Sequence, residues 1–463
     1  MKKFILLITG LFWLNATAQD EPLNLTLEEA VALGLENNYS SIRSEKDVEI
    51  ALRQKWEIIS QGLPQINANV DYQNYLKQPV TLIPGEIGGG EPGTFLPVRF
   101  GTKQNLSATA TWSQLIFDGS YIVGVQSART LLQISKNAKT KTDLEVKKAV
   151  INAYGNVLMA RESVQILENN LENVTKNLND TEKIFENGLA EEEDVEQLKI
   201  TRLSLNNNLT RSRRMLDISH QLLNMAMGIP VERQVIPVDD LNTLALQFYD
   251  LQLLEESIPV EENIDVRIAE NSAEAARIYV RLEKAKALPQ LTGFLNYGAT
   301  GNSDAFTFFN DDQVYYNQSI LGISLNIPIF SSGMRNSRTK QMELEYDQAL
   351  LDLEETRNRI SLEINAAKAD YRFSLENFEA MQESLALAER IENKNQIKFF
   401  QGLASSFELS EAQRQLYTAQ QNLLEAMLEV INAKVELENV LSTSTYSEEI
   451  GRASCRERVS TSV

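Results

Sequence analysis

Residues 409–440 read LSEAQRQLYTAQQNLLEAMLEVINAKVELENV. Their apolar positions are Leu409, Ala412, Leu416, Ala419, Leu423, Ala426, Val430, Ala433, Leu437 and Val440, in alternating steps of three and four. That spacing is a heptad seam on an α-helix, with a large residue at one position and mostly alanine at the other. Moving back 214 residues gives Val195, Leu198, Arg202, Leu205, Leu209, Ser212, Leu216, Ser219, Leu223 and Ala226, seven of the ten apolar and in the same register. The chain therefore carries this helix twice, and the rest of it can be placed around the duplication.

Ahead of each seam helix stands a longer helical stretch, expected over 120–186 and 334–400. The first has Val150, Val157, Val164, Leu171 and Leu178 seven apart, with Ala153, Ala160, Leu167 and Val174 between them. At 1.5 Å per residue such a rod reaches about 100 Å, too long for one compact domain. Tight turns, Gly188-Leu189-Ala190 and Gly402-Leu403-Ala404, lead from each rod into the return helices at 191–227 and 406–442.

Before each rod the period changes from helical to two. Ile66, Ala68, Val70 and Tyr72 alternate with Asn67, Asn69, Asp71 and Gln73, and Leu106, Ala108, Ala110 and Trp112 alternate with Ser107, Thr109, Thr111 and Ser113. In the second half Leu291, Leu295 and Tyr297 oppose Thr292 and Asn296, with Phe294 interrupting the polar side. Leu321, Ile323, Leu325, Ile327 and Ile329 oppose Gly322, Ser324 and Asn326. These predict strands at 64–76, 104–117, 288–298 and 319–330, each with one oily and one wet face. The Pro- and Gly-rich stretch 77–103 predicts a long loop, and Ala299–Gln318 a shorter one.

The expected order is thus a first repeat over 19–228, an irregular segment over 229–260 and a second repeat over 261–442. Thr26 and Glu29 form a capping box for a helix running to about Ser60, with a break expected near Asn37-Asn38. Asn38 and Asn263 each stand 25 residues before a Leu-Pro-Gln, at 63–65 and 288–290. The offset between halves is 225 before the strand loops and 214 after them, so the first loop absorbs the difference, as loops do.

Residues 1–18 have the form of a secretory signal: Lys2 and Lys3, the apolar run Phe4–Leu14, and Ala16-Thr17-Ala18 as a cleavage site. No other run approaches the length of a transmembrane helix, so none is expected. Residues 443–463 read as a tail, which from 449 resembles translated adapter DNA rather than part of the fold. The formal net charge is −20. Such a surface repels nucleic acid and excludes that partner class. The single cysteine, Cys455, lies in the tail, so neither a disulfide framework nor a Cys-based metal site is expected.

A strand of about ten residues spans a bilayer when tilted, and an apolar face opposed to a polar one suits lipid outside and water inside. Four strands of a soluble sandwich, oily faces together, would show the same alternation. If the strands do lie in lipid, four cannot close a barrel and open edges are not tolerated there. Three copies would supply twelve strands, enough to enclose a wet channel.

The ordered plan of helix, strand, loop, strand, long helix, Gly-Leu-Ala turn and helix, present twice, resembles the TolC family of outer-membrane efflux proteins over about 24–442. The resemblance implies a mainly α fold with membrane β: duplicated coiled-coil helical hairpins plus four strands per protomer. In the homotrimer these form a 12-stranded β-barrel on an α-helical periplasmic tunnel. It implies location in the cell outer membrane, contact with its lipid, and passive conduction of small molecules. The substrates would come from an inner-membrane pump of the RND or ABC type through a periplasmic adaptor. A conduit for type I protein secretion has the same body. By the same resemblance Gly188, Leu189, Ala190, Gly402, Leu403 and Ala404 match the adaptor-binding tips, and Asp194, Glu408 and Glu411 the acids of the periplasmic entrance. The family often has arginine where this chain has Ala404. Independently, carboxylates at i and i+3 such as Glu408 and Glu411 share a helix face, and threefold repetition would make a ring that focuses negative potential. A solvated acidic face is the plainer reading of either glutamate, and 191–194 also suits a helix N-terminus.

An enzyme is not expected. The only histidine, His220, sits mid-helix, and no nucleophile elbow, phosphate loop, metal-ligand cluster or cofactor motif is present. A periplasmic coiled-coil scaffold without a pore would explain the rods but leave four amphipathic strands without a use.

Overall fold

Asn38 and Asn263 hold matching places in the two repeats, each between two helices. In the computed structural model, which describes residues 22–255 and 259–441, both are extended, with φ −62° and ψ 132° and 140°. Asn38 Nδ2 donates to Ala226 O (2.8 Å), and Asn263 Nδ2 donates to Val440 O (2.7 Å). Each asparagine also accepts from the N–H two residues on, Ser40 or Asp265, at 2.8 Å, so it starts one helix while holding the end of another. Ala226 and Val440 are the last seam positions, 214 apart, so the duplicated asparagine grips the duplicated helix at the same place. Asn263→Ala leaves that carbonyl unpaired beside a buried site. It should cost about 1–3 kcal/mol, seen as a lower thermal midpoint in detergent, while Asn263→Asp, which keeps only the cap, should recover part of the loss.

Among the described residues the elements run β1 (Leu23–Leu25), α1 (Leu27–Asn37), α2 (Tyr39–Ser60), β2 (Gln65–Asn74), β3 (Val80–Pro84), β4 (Phe95–Arg99), β5 (Gln104–Asp118), α3 (Gly119–Glu186) and α4 (Glu192–Met227). They continue β6 (Val235–Pro237), α5 (Leu241–Gln247), α6 (Gln252–Glu255), α7 (Ile264–Ala285), β7 (Gln290–Ser303), β8 (Tyr315–Asn326), α8 (Met334–Phe400) and α9 (Ser406–Leu441). The expected signal at 1–18 and tail at 443–463 lie outside the described residues. The described residues fall into two compact units: 22–48 with 135–255, 259–270 and 352–441, and Glu49–Ile134 with Asn271–Leu351.

In the first unit every seam position of α4 and α9 is buried or half-buried, Arg202 and Ser212 included. Leu409, Ala426, Val430 and Leu437 are wholly buried. One apolar core joins Ala426, Val430 and Leu437 to Val150, Tyr154, Leu158, Leu223 and Met227. The segment 229–260 is more ordered than its prolines suggest. β6 pairs in parallel with β1, and Leu241, Leu244 and Ala245 of α5 enter the same core. A polar network fixes it there. Asp239 Oδ2 accepts from the Tyr154 hydroxyl (2.6 Å) and from Leu27 N–H (2.8 Å), while Arg161 donates to the carbonyls of Pro237 and Asp239, both at 2.7 Å. Burial, reinforced by the Asp239 carboxylate, raises the Tyr154 pKa, so the hydroxyl stays protonated and donating. Pairing across 212 residues, between Leu27 and Asp239, is a tertiary fact that no local pattern encodes.

The second unit is built on one antiparallel sheet, ordered β2-β5-β7-β8. Its registers align the alternating faces. Ile66 pairs with Trp112, Trp112 with Leu295 and Leu295 with Leu321; one step over, Asn67 pairs with Thr111 and Thr111 with Asn296. The four oily sequence patterns therefore form one continuous apolar face, and the polar patterns form the other. Phe294, on the polar side with Leu115 and Ile320, lies over Gly322, where an added Cβ would meet the ring at 2.4 Å. The apolar face is uncovered: Ile66, Val70, Leu321 and Ile323 are all exposed, Leu321 at 79%. The sandwich alternative, with oily faces packed together, is not what this sheet does.

Three boundaries differ from expectation. Within 77–103 the chain forms a β3–β4 ribbon, with Val80 opposite Arg99 and Pro84 opposite Phe95, closed by a 3-10 turn at Gly85–Gly88. In a two-stranded ribbon each strand has a free side, so Pro84 and Pro97 cost no ladder bond. β7 and β8 run on past the expected ends to Ser303 and from Tyr315, which shortens the loop to 304–314. β8 stops at Asn326 rather than 330, because Pro328 cannot donate to a ladder. No helix among the described residues is long and apolar enough to cross a membrane.

Candidate functional site

The two Gly-Leu-Ala turns have the same geometry. Gly188 has φ 75° and Gly402 φ 69°, the left-handed conformation in which glycine alone is unstrained. Leu189 N–H donates to Ile184 O (3.0 Å) and Gly188 N–H to Phe185 O (2.8 Å); Leu403 N–H donates to Lys398 O (2.8 Å) and Gly402 N–H to Phe399 O (2.9 Å). Both are Schellman caps that end α3 and α8 through backbone bonds. The leucine side chains take no part in them: Leu189 is 80% exposed and Leu403 73%. Ala190 and Ala404 are half-buried.

The second turn is flanked by aromatics that the sequence reading passed over. Phe399 and Phe400 meet edge to face with ring centroids at 5.6 Å, and Phe407 is exposed one helical turn beyond the glycine. The consecutive Phe399-Phe400 next to a glycine turn was the available signal.

The two turns lie together. Asp194 Oδ1 accepts from Ser406 N–H (3.3 Å), and one and two helical turns along, Gln197 and Thr201 of α4 meet Ser410 of α9 at 3.5 and 3.0 Å. All three candidate acids have partners within the chain. Asp194 Oδ2 accepts from Glu191 N–H (3.4 Å), so the 191–194 run does close the N-terminus of α4. Glu408 accepts from Ser405 N–H (2.9 Å), while Ser405 Oγ accepts from Glu408 N–H (3.2 Å), a capping box for α9. Glu411 is held by Arg414, Nε to Oε2 2.9 Å and Nη2 to Oε1 2.5 Å, and this pairing keeps its carboxyl below the usual range. Between α8 and α9 a fourth acid, Glu392, is half-buried beside Gln413, and burial raises its carboxyl pKa. The resemblance did not mark that position.

Among the described residues no group of His, Cys, Asp or Glu could hold a metal ion. What the chain presents is an uncovered amphipathic sheet and helical hairpins ending in exposed leucines, the parts of a membrane channel.

Comparison with known proteins agrees. Residues 260–443 match the model of the family described as outer membrane efflux protein. The outer membrane protein TolC of Vibrio cholerae is 24% identical over 342 residues, 73% of this chain and 77% of that protein. The pyoverdine export outer membrane protein OpmQ of Pseudomonas aeruginosa is 26% identical over 349 residues, 73% of this chain and 69% of that one. The solved structure of CusC, a transmembrane channel, superposes with a TM-score of 0.71 at 18% identity, covering 91% of this chain and 93% of CusC. The fold is that of an outer-membrane channel. The family match covers 260–443, and the relatives to which the chain is similar are outer membrane proteins, one of them an export protein.

Proposed function

We propose that three copies of this chain close a twelve-stranded barrel in the outer membrane and join their helices into a tunnel. Through it pass small molecules delivered by an inner-membrane pump, of the RND or ABC type, through a periplasmic adaptor. The observation that carries this reading is the open sheet: one face brings Ile66, Trp112, Leu295 and Leu321 into register and is uncovered, with β2 and β8 each leaving an edge unpaired. In hydrocarbon each unpaired backbone group costs several kcal/mol, so edges must pair with other copies and the apolar face must meet lipid. Alanines along α9 at 412, 419, 426 and 433 suit rods packed closely, as a coiled-coil wall requires. Native mass measurement of detergent-extracted protein tests the reading, with single-channel conductance in planar bilayers. A trimer that conducts is expected; a monomer that needs no detergent would overturn it.

Leu189 and Leu403, on the turns set by Gly188 and Gly402 and continued by Ala190 and Ala404, serve as the adaptor-binding tips. Glu408 and Asp194, with Glu411, supply negative charge at the periplasmic entrance. Arg414 offsets part of the charge of Glu411, so Glu408 and Asp194 carry most of the effect. Glu408→Gln keeps a residue suited to the capping box and removes the charge. Combined with Asp194→Asn it should reduce cation preference, read as a reversal-potential shift toward zero under a salt gradient. An unchanged reversal potential would remove these acids from the entrance.

A further inference from the structure

Residues 75–103 leave a surface that conduction does not use. The β2–β5 pairing continues past its last rung, Tyr75 N–H donating to Lys103 O (2.9 Å) and Gln78 Nε2 to Gly101 O (3.2 Å), and then β3 and β4 form a ribbon of their own. By register one face carries Val80, Leu82 and Pro84 beside Phe95, Pro97 and Arg99. Val80, Leu82 and Phe95 are exposed, as are Leu76, Ile87 and Phe100 around them. A two-stranded ribbon is marginal by itself, and proteins seldom leave an apolar patch beyond about 300–600 Å² without a partner.

Position and charge select that partner. The ribbon springs from β2, one free edge of the sheet; the other free edge is β8. β2 runs toward the ribbon, and β8 runs away from the loop 304–314, so two copies paired antiparallel at these edges bring the ribbon of one beside the start of β8 of the next. That start exposes Val314 and Tyr316, preceded by exposed Asp311 and Asp312. The ribbon offers Arg99 within its apolar face and Lys77 at its base. None of these four charges has an ion-pair partner among the described residues.

We propose that the β3–β4 ribbon is a clasp across the subunit boundary, seated on residues 311–316 of a second copy, with Arg99 and Lys77 facing Asp311 and Asp312. The proposal rests on the three-copy closure of the sheet and adds a contact that closure alone does not require.

The test uses the full chain with Cys455, its single cysteine, replaced by serine, carrying Leu82→Cys and Val314→Cys. Oxidation in isolated outer membranes should give a covalent ladder ending at trimer. Leu82→Cys alone should react with a maleimide at least roughly tenfold slower in the trimer than after dissociation, since reaction then proceeds through an open minor state of about 10% or less. Arg99→Asp should weaken the cross-link, and adding Asp312→Arg should restore it. Trimers by native mass with no cross-link and fast labelling would overturn the clasp and leave the channel reading standing. Slow labelling in membranes that becomes fast in trimers extracted into detergent, again without cross-link, would assign the cover to lipid and equally overturn it. Protein that stays monomeric would remove the closure as well.

Discussion

Leu403→Asp should abolish efflux while leaving trimers intact. The turn that carries Leu403 is held by backbone bonds from Gly402 and Leu403 to Phe399 and Lys398, and its side chain is 73% exposed, so folding gains little from it. Docking an adaptor over it would bury the side chain, worth about 1.5–3 kcal/mol. The substituted carboxylate adds a desolvation cost of several kcal/mol when no cation meets it. Together these weaken docking by more than roughly a hundredfold, at 1.4 kcal/mol per decade. Leu189→Asp should act in the same direction. Gly402→Pro should also abolish efflux, by a different route: proline cannot take φ 69° and lacks the N–H that bonds Phe399. Drug susceptibility in a strain dependent on this protein reads the outcome, with heat-resistant trimer bands as the folding control. Resistance retained in Leu403→Asp would take the adaptor away from this turn.

The second large effect is expected in the sheet. Leu321→Arg places a cation on the apolar face of β8, where the residue is 79% exposed in the single chain. In a barrel that position faces hydrocarbon near mid-depth, and arginine there costs about 2–4 kcal/mol. Three copies incur the cost together, so assembled trimer should be nearly lost from the outer membrane fraction. Gln318→Arg, on the polar face of the same strand by its pairing with Gly298, should assemble normally and alter only conductance. Equal tolerance of both substitutions would mean that this face does not touch lipid.

Much of this architecture was legible because the periodicities report burial directly. The steps of three and four in α9 mark residues that are all buried or half-buried in the structure, and the 214-residue offset carried the same seam to α4 with Arg202 and Ser212 tolerated within it. The strand alternations foretold one apolar and one polar face, because side chains on a pleated strand point to opposite sides. The β3–β4 ribbon escaped notice because its prolines and glycines signal a loop, although a free-sided ribbon accommodates proline. The order within 229–260 escaped for another reason. It depends on Tyr154, Arg161 and Leu27 meeting Asp239 and Pro237, partners distant in sequence and without a period. At the tips the resemblance marked the residues, and the geometry added that Glu408 and Asp194 serve as caps and that Glu411 is paired.

By itself the sequence determined which residues are helical, which alternate, and that the plan occurs twice, since these follow from local repetition of side-chain polarity along the backbone. Only the tertiary structure decided that the four alternating segments share one register, so that their oily sides add up to a single uncovered face with two open edges. Register depends on hydrogen bonds between strands up to 200 residues apart, and a shift of one residue would have turned any of them inside out.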